Sequence, residues 1–208
     1  MNITPACILT NLKKEIERTN SVIEDGEGFY WFVASSCFCR NYKIKVESGC
    51  TRGVIIPPNE NYIIKFDIDW KDHFCEVEAL NYRKAKRAGL EKFFAAMRFL
   101  VRFNFGGFRM DFYIQEKVDE MMVDNNSIYR SDYDCSEDYE AALEEGEASE
   151  SNEDCVPYGW ADRVIDYFGS NTYYRIIDFL NDNDINDVHS GNVGFMGDRC
   201  VIFDFAGY

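Results

Sequence analysis

The chain has no apolar run approaching ~18 residues, so no membrane-spanning helix is expected. Its opening, MNITPACILTNLKKEIERTN, lacks a basic stretch followed by an apolar one, so no secretory leader is expected. None of the cysteines, at 7, 37, 39, 50, 75, 135, 155 and 200, falls in a C-x-x-C pair or a metal-type Cys/His spacing. They read as reduced thiols of a cytoplasmic protein rather than as a disulfide framework. Basic residues are short as well. There are 22 Lys and Arg against 37 Asp and Glu, a net charge of −15. Residues 131–155 hold eleven of the acids and no base; the remainder stands at 26 acids against 22 bases. The acidity therefore belongs mostly to one segment, and its sign argues against nucleic acid as a partner.

The chain does have material for a core. Hydrophobic residues make up 46% and aromatic residues 16% of 208 positions, enough for one domain or one bilobal unit. Apolar residues at helical spacing predict an amphipathic helix over 8–24, ended by a turn at Asp25-Gly26-Glu27-Gly28. The aromatic run 29–39, FYWFVASSCFC, reads as one or two buried strands. Three shorter strands are expected over 42–46, 53–56 and 62–66, with a turn at 48–51. A helix is expected over 72–96, then a strand over 97–105, a Gly106-Gly107 turn and a partner strand over 109–118.

Residues 125–157 are acidic, rich in Ser and Glu and poor in aliphatics. They read as a solvated insertion, with room for a short helix near 139–145. Two helices are expected over 159–168 and 172–180, the second capped by Ser170 or Asn171. The basic group Arg83, Lys84, Lys86 and Arg87 reads as a solvated helix face.

The densest chemistry lies in residues 184–208, DINDVHSGNVGFMGDRCVIFDFAGY. Asp187 and Asn192 sit five apart in a polar loop, and Asp204 ends the apolar run 200–203. Two carboxylates and an amide held by a strand–turn–strand unit are hard oxygen donors, suited to Mg2+ with phosphate rather than to zinc. His189 reads as a hydrogen-bonding brace for the loop. Lys65 stands inside an otherwise apolar strand, where it either snorkels from an exposed face or needs a partner. On the following helix Glu78, Tyr82 and Lys86 share one face, and Glu76 lies on a neighbouring one.

Asp187-Val188-His189-Ser190-Gly191-Asn192 followed by Asp204-Phe205-Ala206 resembles the protein-kinase-like phosphotransferase superfamily, in its aminoglycoside-phosphotransferase and atypical-kinase branch. The resemblance covers roughly residues 43–208. It implies an α+β, bilobal, protein-kinase-like fold with an antiparallel-sheet N-lobe, a helix C and a truncated, mostly helical C-lobe. The corresponding division is an N-terminal helix-and-strand extension over 1–41, an N-lobe over 42–118 and a minimal C-lobe over 119–208.

The resemblance also implies roles. Lys65 would reach the α/β-phosphates of ATP, oriented by Glu78, which is preferred to Glu76 because its Glu-x-x-x-Tyr spacing to Tyr82 resembles the family's helix C, and Gly49 would allow close backbone approach to phosphate. The Glu116 carbonyl and the Val118 amide would receive the adenine edge beside Gln115. Asn192 and Asp204 would hold Mg2+, and Asp187 would accept the proton of an acceptor hydroxyl whose identity the sequence does not give. The glycine-loop pattern keeps only Gly49, with Glu47 and Arg52 at the outer glycine positions. That departure, with the short C-lobe, leaves a second reading open: a pseudokinase that binds nucleotide or a partner protein without turnover. A nucleic-acid mimic built on residues 131–155 is a distant third.

Overall fold

A computed structural model describes residues 3–49, 51–69, 73–105, 108–120, 156–186, 188 and 190–206. The chain is of the α+β class and divides into two compact units. One is Met1–Leu80 with Ala96–Lys117; the other is Asn81–Ala95 with Val118–Tyr208.

The first unit opens with α1 (Pro5–Thr19). Thr4 caps it by accepting from the Cys7 amide, Pro5 has no amide to lose there, and Asn20 closes it in the left-handed region at φ 52°. Ile8, Leu9, Leu12 and Ile16 form its buried stripe. The run 29–39, expected as strand, is instead helical: α2 spans Gly26–Ser35 and α3 spans Cys37–Asn41. Local capping overrides the aromatic β-preference here. Asp25 Oδ1 accepts from the Gly28 amide at 2.7 Å, and Ser36 caps α3 by accepting from the Cys39 amide. The Asp-Gly-Glu-Gly stretch thus starts a helix, and the preceding one, expected to run to residue 24, already ends at Thr19. Gly26 is required: a Cβ there would lie 2.3 Å from the Asp67 carbonyl oxygen.

The buried α1 residue Glu15 ties these helices together. Its carboxylate accepts from the Ser36 hydroxyl, from the Cys37 amide at 2.9 Å and from the Phe38 amide at 3.3 Å. Desolvation pushes its pKa up, but these hydrogen bonds and the Arg18 charge outweigh it and leave the carboxyl below the ordinary 4.5. A depressed pKa contributes stability that is fully present above the unfolded value and lost as pH falls through the folded one. Glu15→Gln should therefore unfold at lower urea than the parent at pH 7, by about 1–2 kcal/mol. The gap should close in titrations carried below pH 4.5; a gap independent of pH would rule out the charged cap.

The sheet follows. β1 (Lys45–Ser48), β2 (Arg52–Ile56) and β3 (Tyr62–Asp67) form a meander. After α4 (Phe74–Arg87), a 3-10 turn spans Glu91–Phe93, and β4 (Met97–Phe105) pairs with β5 (Phe108–Glu116). The five strands are all antiparallel, in the order β1-β2-β3-β5-β4, with a bulge in β4 between Phe99 and Val101. The expected helix over 72–96 is shorter than its apolar pattern suggested. It stops near Gly89, which takes φ 70°, and the segment leads into β4. One core of the unit joins α1 and α2 to the sheet through Phe29, Phe66 and Phe112, whose rings meet edge-on or tilted at 5.1–5.9 Å.

The second unit holds β6 (Asp119–Glu120), α5 (Tyr158–Phe168), α6 (Ser170–Asp182), a 3-10 turn (Ser190–Asn192), β7 (Val193–Met196) and β8 (Arg199–Ile202). The last two strands and β6 make a three-stranded antiparallel sheet, β6-β7-β8. Gly194 is required where β6 crosses: a Cβ would lie 2.3 Å from the Asp119 carbonyl oxygen. The core gathers Phe94, Trp160, Val164, Ile176, Phe179, Val193, Ile202 and Phe205.

Gly169 at φ 83°, not Ser170 or Asn171, occupies the cap position of α6, and no side chain caps it. Val156, assigned by sequence to the acidic insertion, is 1% exposed within this core. Pro157, also assigned to it, is buried at the cap position of α5, while residues 125–155, with the 139–145 helix, and the Gly106-Gly107 turn lie outside the described residues. Among those described, no helix is long and apolar enough to cross a membrane.

Candidate functional site

In the first unit the chemistry gathers on β3 and α4. Lys65 has β2 on one side and β5 on the other, opposite Val54 and Tyr113, and is 4% exposed. It does not snorkel to solvent. Its Nζ lies 3.2 Å from Glu78 Oε1 and 3.1 Å from Oε2. Glu78 is fully buried because α4 turns Cys75, Glu78 and Ala79 inward, the i, i+3, i+4 set of one face. Glu76, one residue off that face, is exposed.

Asp67, at the end of β3, fixes the start of α4 by accepting from the Cys75 amide at 2.9 Å. Burial raises its pKa, opposed by that hydrogen bond and the nearby Arg52 charge. Burial pushes the Cys75 thiol well up too. Arg52, at the first position of β2, brings a second cation to Glu78, with Nη1 3.1 Å from Oε1. Sequence reasoning noted Arg52 only as a replaced glycine. Its signal would have been a charged residue at the head of a strand otherwise made of Gly, Val and Ile.

Gly49 lies in the β1–β2 turn, where its amide donates to the Arg52 carbonyl at 3.0 Å. A Cβ there would meet nothing within 4 Å among the described residues. At the other end of the sheet, Gln115 is 1% exposed and its Nε2 lies 3.7 Å from Met97 Sδ. Glu116 is bound on two sides: its amide donates to the Ala96 carbonyl, and its Oε2 accepts from the Ala96 amide. The division between the units falls after Lys117, so Val118 opens the second stretch of the second unit.

In the second unit the β7–β8 hairpin sets Val193 opposite Ile202. One step further, the Phe203 amide donates to the Asn192 carbonyl at 2.9 Å. Asn192, 7% exposed, and half-buried Asp204 are thereby brought to the same end of the hairpin. Phe205 anchors the segment. Its ring packs edge-on to Phe94 at 5.3 Å, and its carbonyl accepts from Asn81 Nδ2 at 3.0 Å. Asn81, 1% exposed, was not singled out from sequence, although it stands three residues after Glu78 on α4.

Asp187 and His189 lie outside the described residues. Their neighbours Ile185 and Val188 are both 3% exposed, and the Ile185 amide donates to the Leu180 carbonyl, tying the loop to α6. No group of three His, Cys, Asp or Glu side chains converges among the described residues. A cavity of about 500 Å³ elsewhere in the first unit is lined by Glu24, Asp67, His73, Arg102, Phe108, Arg109, Met110 and Asp111, and takes in none of the residues singled out from sequence.

Compared with protein-family models, curated proteins and solved structures, the chain matches none of them. The class shown is thus an α+β protein with a five-stranded antiparallel sheet, carrying a buried lysine–glutamate pair.

Proposed function

We propose that the chain is a kinase-like phosphotransferase with the bilobal fold of that superfamily, binding ATP with Mg2+ and transferring the γ-phosphoryl group to a hydroxyl acceptor. The observation that carries this reading is the Lys65–Glu78 pair. Apolar residues of similar volume would serve stability at least as well as a buried ion pair. A pair at 4% and 0% exposure, joining the sheet to its helix, therefore asks for a role in binding. An ammonium aimed by a carboxylate suits phosphate oxygens.

The remaining roles follow residue by residue. Asp204 and Asn192 offer hard oxygen donors that fit Mg2+. When bound, the ion would neutralise charge on the phosphates. Asp187 would accept the proton of the acceptor hydroxyl. Gly49 would let backbone approach phosphate, and the Glu116 carbonyl and Val118 amide would take the adenine edge. The described cysteines carry free thiols, which supports a reducing, cytoplasmic setting.

One observation favours the alternative of a nucleotide-binding pseudokinase. Arg52, at a glycine position of the loop pattern, turns its side chain to Glu78. Both readings require nucleotide binding. Thermal unfolding should rise by several degrees with saturating Mg·ATP for the parent, and by much less for Asp204→Ala. No shift in the parent would sink both readings. Binding without turnover would leave the pseudokinase. With turnover, Asp187→Asn should slow it about 10²–10⁴-fold.

A further inference from the structure

We propose that Arg52 is a positioning residue of this site: it keeps Glu78 charged and in place while Lys65 turns from it to an anionic ligand. The inference rests on the nucleotide-binding reading above. Its starting point is that one buried carboxylate meets two cations from two strands. Glu78 Oε1 lies 3.1 Å from Arg52 Nη1 and 3.2 Å from Lys65 Nζ. All three side chains are nearly or fully buried.

A lysine that is the sole partner of such a carboxylate cannot leave cheaply. Its departure strands a charge out of water, and breaking a buried pair from one side is strongly destabilising. Arg52 removes that obstacle. Its guanidinium stays charged at any accessible pH, and its planar fork can hold a carboxylate while contacting other groups. It is also fixed independently of Lys65. Its backbone sits opposite Asp67 in the β2–β3 ladder, its charge acts on the Asp67 carboxylate, and its guanidinium carbon lies 5.5 Å from the Phe74 ring centroid.

Lys65 and Arg52 are thus not equivalent. Arg52 is the cation held against the Phe74 ring, and Lys65, at the tip of a flexible stem, is the one able to exchange Glu78 for phosphate. The loop pattern is consistent with this division. The position that a glycine-rich loop leaves bare is used here for a side chain reaching the helix carboxylate, while Gly49 remains a glycine whose Cβ would meet nothing within 4 Å among the described residues.

The test is a set of variants read by urea unfolding and by Mg·ATP titration. Lys65→Met and Arg52→Met should each fold. Combined, they should lose clearly more stability than the two losses added, because Glu78 then has neither cation. Adding Glu78→Gln to the pair should restore folding, since the stranded charge is gone. Additive losses, or no restoration by Glu78→Gln, would overturn the proposal. In the titration, Arg52→Met should bind Mg·ATP about tenfold more weakly than the parent, a change of ~1.4 kcal/mol, and Arg52→Lys should recover most of that loss. If the parent binds Mg·ATP and Arg52→Met binds it equally well, the positioning role is wrong while the nucleotide reading stands. If the parent binds none, the nucleotide reading itself fails and the positioning role falls with it.

Discussion

Replacing Glu78 by alanine is expected to remove about 3–5 kcal/mol of stability. The carboxylate is fully buried and compensates two cations, Lys65 and Arg52, that are themselves almost entirely out of water. Truncation leaves both without it, at 4% and 6% exposure, where little water can replace the lost charge. Losses of this size come from few mechanisms, and stranding buried charge is one of them. Glu76→Ala, two residues away on the exposed face of the same helix, should stay within about 0.5 kcal/mol of the parent. Urea unfolding of the two variants side by side gives the measurement. A Glu78→Ala loss no larger than that of Glu76→Ala would mean that Lys65 and Arg52 are solvated, and the binding role would lose its foundation.

The second large effect belongs to the other unit. Phe94→Ala should cost about 3–5 kcal/mol, the range for deleting a buried aromatic ring. Phe94 is fully buried and packs edge-on against Phe179 and Phe205, each at 5.3 Å. It also forms an isolated bridge to Ile202 in β8, beside which the Ala95 amide donates to the Ile202 carbonyl. The cavity left by the ring would loosen Phe205, and with it the peptide carrying Asp204. The variant should therefore lose near-ultraviolet ellipticity and the Mg·ATP-dependent rise in unfolding temperature together. Phe195→Ala, a half-buried ring, should cost markedly less. Equal costs would show that the core does not close around Phe94.

The sheet was readable because period-two patterns and turn residues agree with one another. Met97–Phe105 declares itself by alternation and Tyr62–Asp67 by an apolar run, whereas β1, expected over 42–46, begins three residues later and spans Lys45–Ser48. Glu78 was picked out by its Glu-x-x-x-Tyr spacing to Tyr82, and it falls on the buried face of α4 with Cys75 and Ala79. The failure at residues 29–39 has a physical source. Aromatic density is shared by buried strands and buried helices, and the deciding signals were two short-range caps, Asp25 and Ser36, each a single hydrogen bond.

Arg52 and Asn81 were missed for a different reason. Each acts through a partner distant in sequence, Glu78 for one and the Phe205 carbonyl for the other, and no local pattern encodes such a pairing. The hairpin that brings Asn192 and Asp204 to one end was legible as strand–turn–strand. Its register, Val193 opposite Ile202 across the Gly197-Asp198 turn, was not drawn from the sequence.

The placement of β4 bears on self-association through the sheet edge. A nine-residue strand rich in Phe, Leu and Val forms one edge of the sheet, with β5 as its one neighbour among the described strands. Such an edge is a template on which another chain could add a strand. Here the surface is broken up. Arg98 and Arg102 project into solvent, Arg102 held by Asp111, and the bulge between Phe99 and Val101 interrupts the straight run of backbone groups. Two like charges and one kink would make a second copy of the strand a poor fit. The two charges and the irregular register work against strand addition along this edge, while Leu100, Val101 and Phe103 pack against the core and Phe99 stays half-exposed.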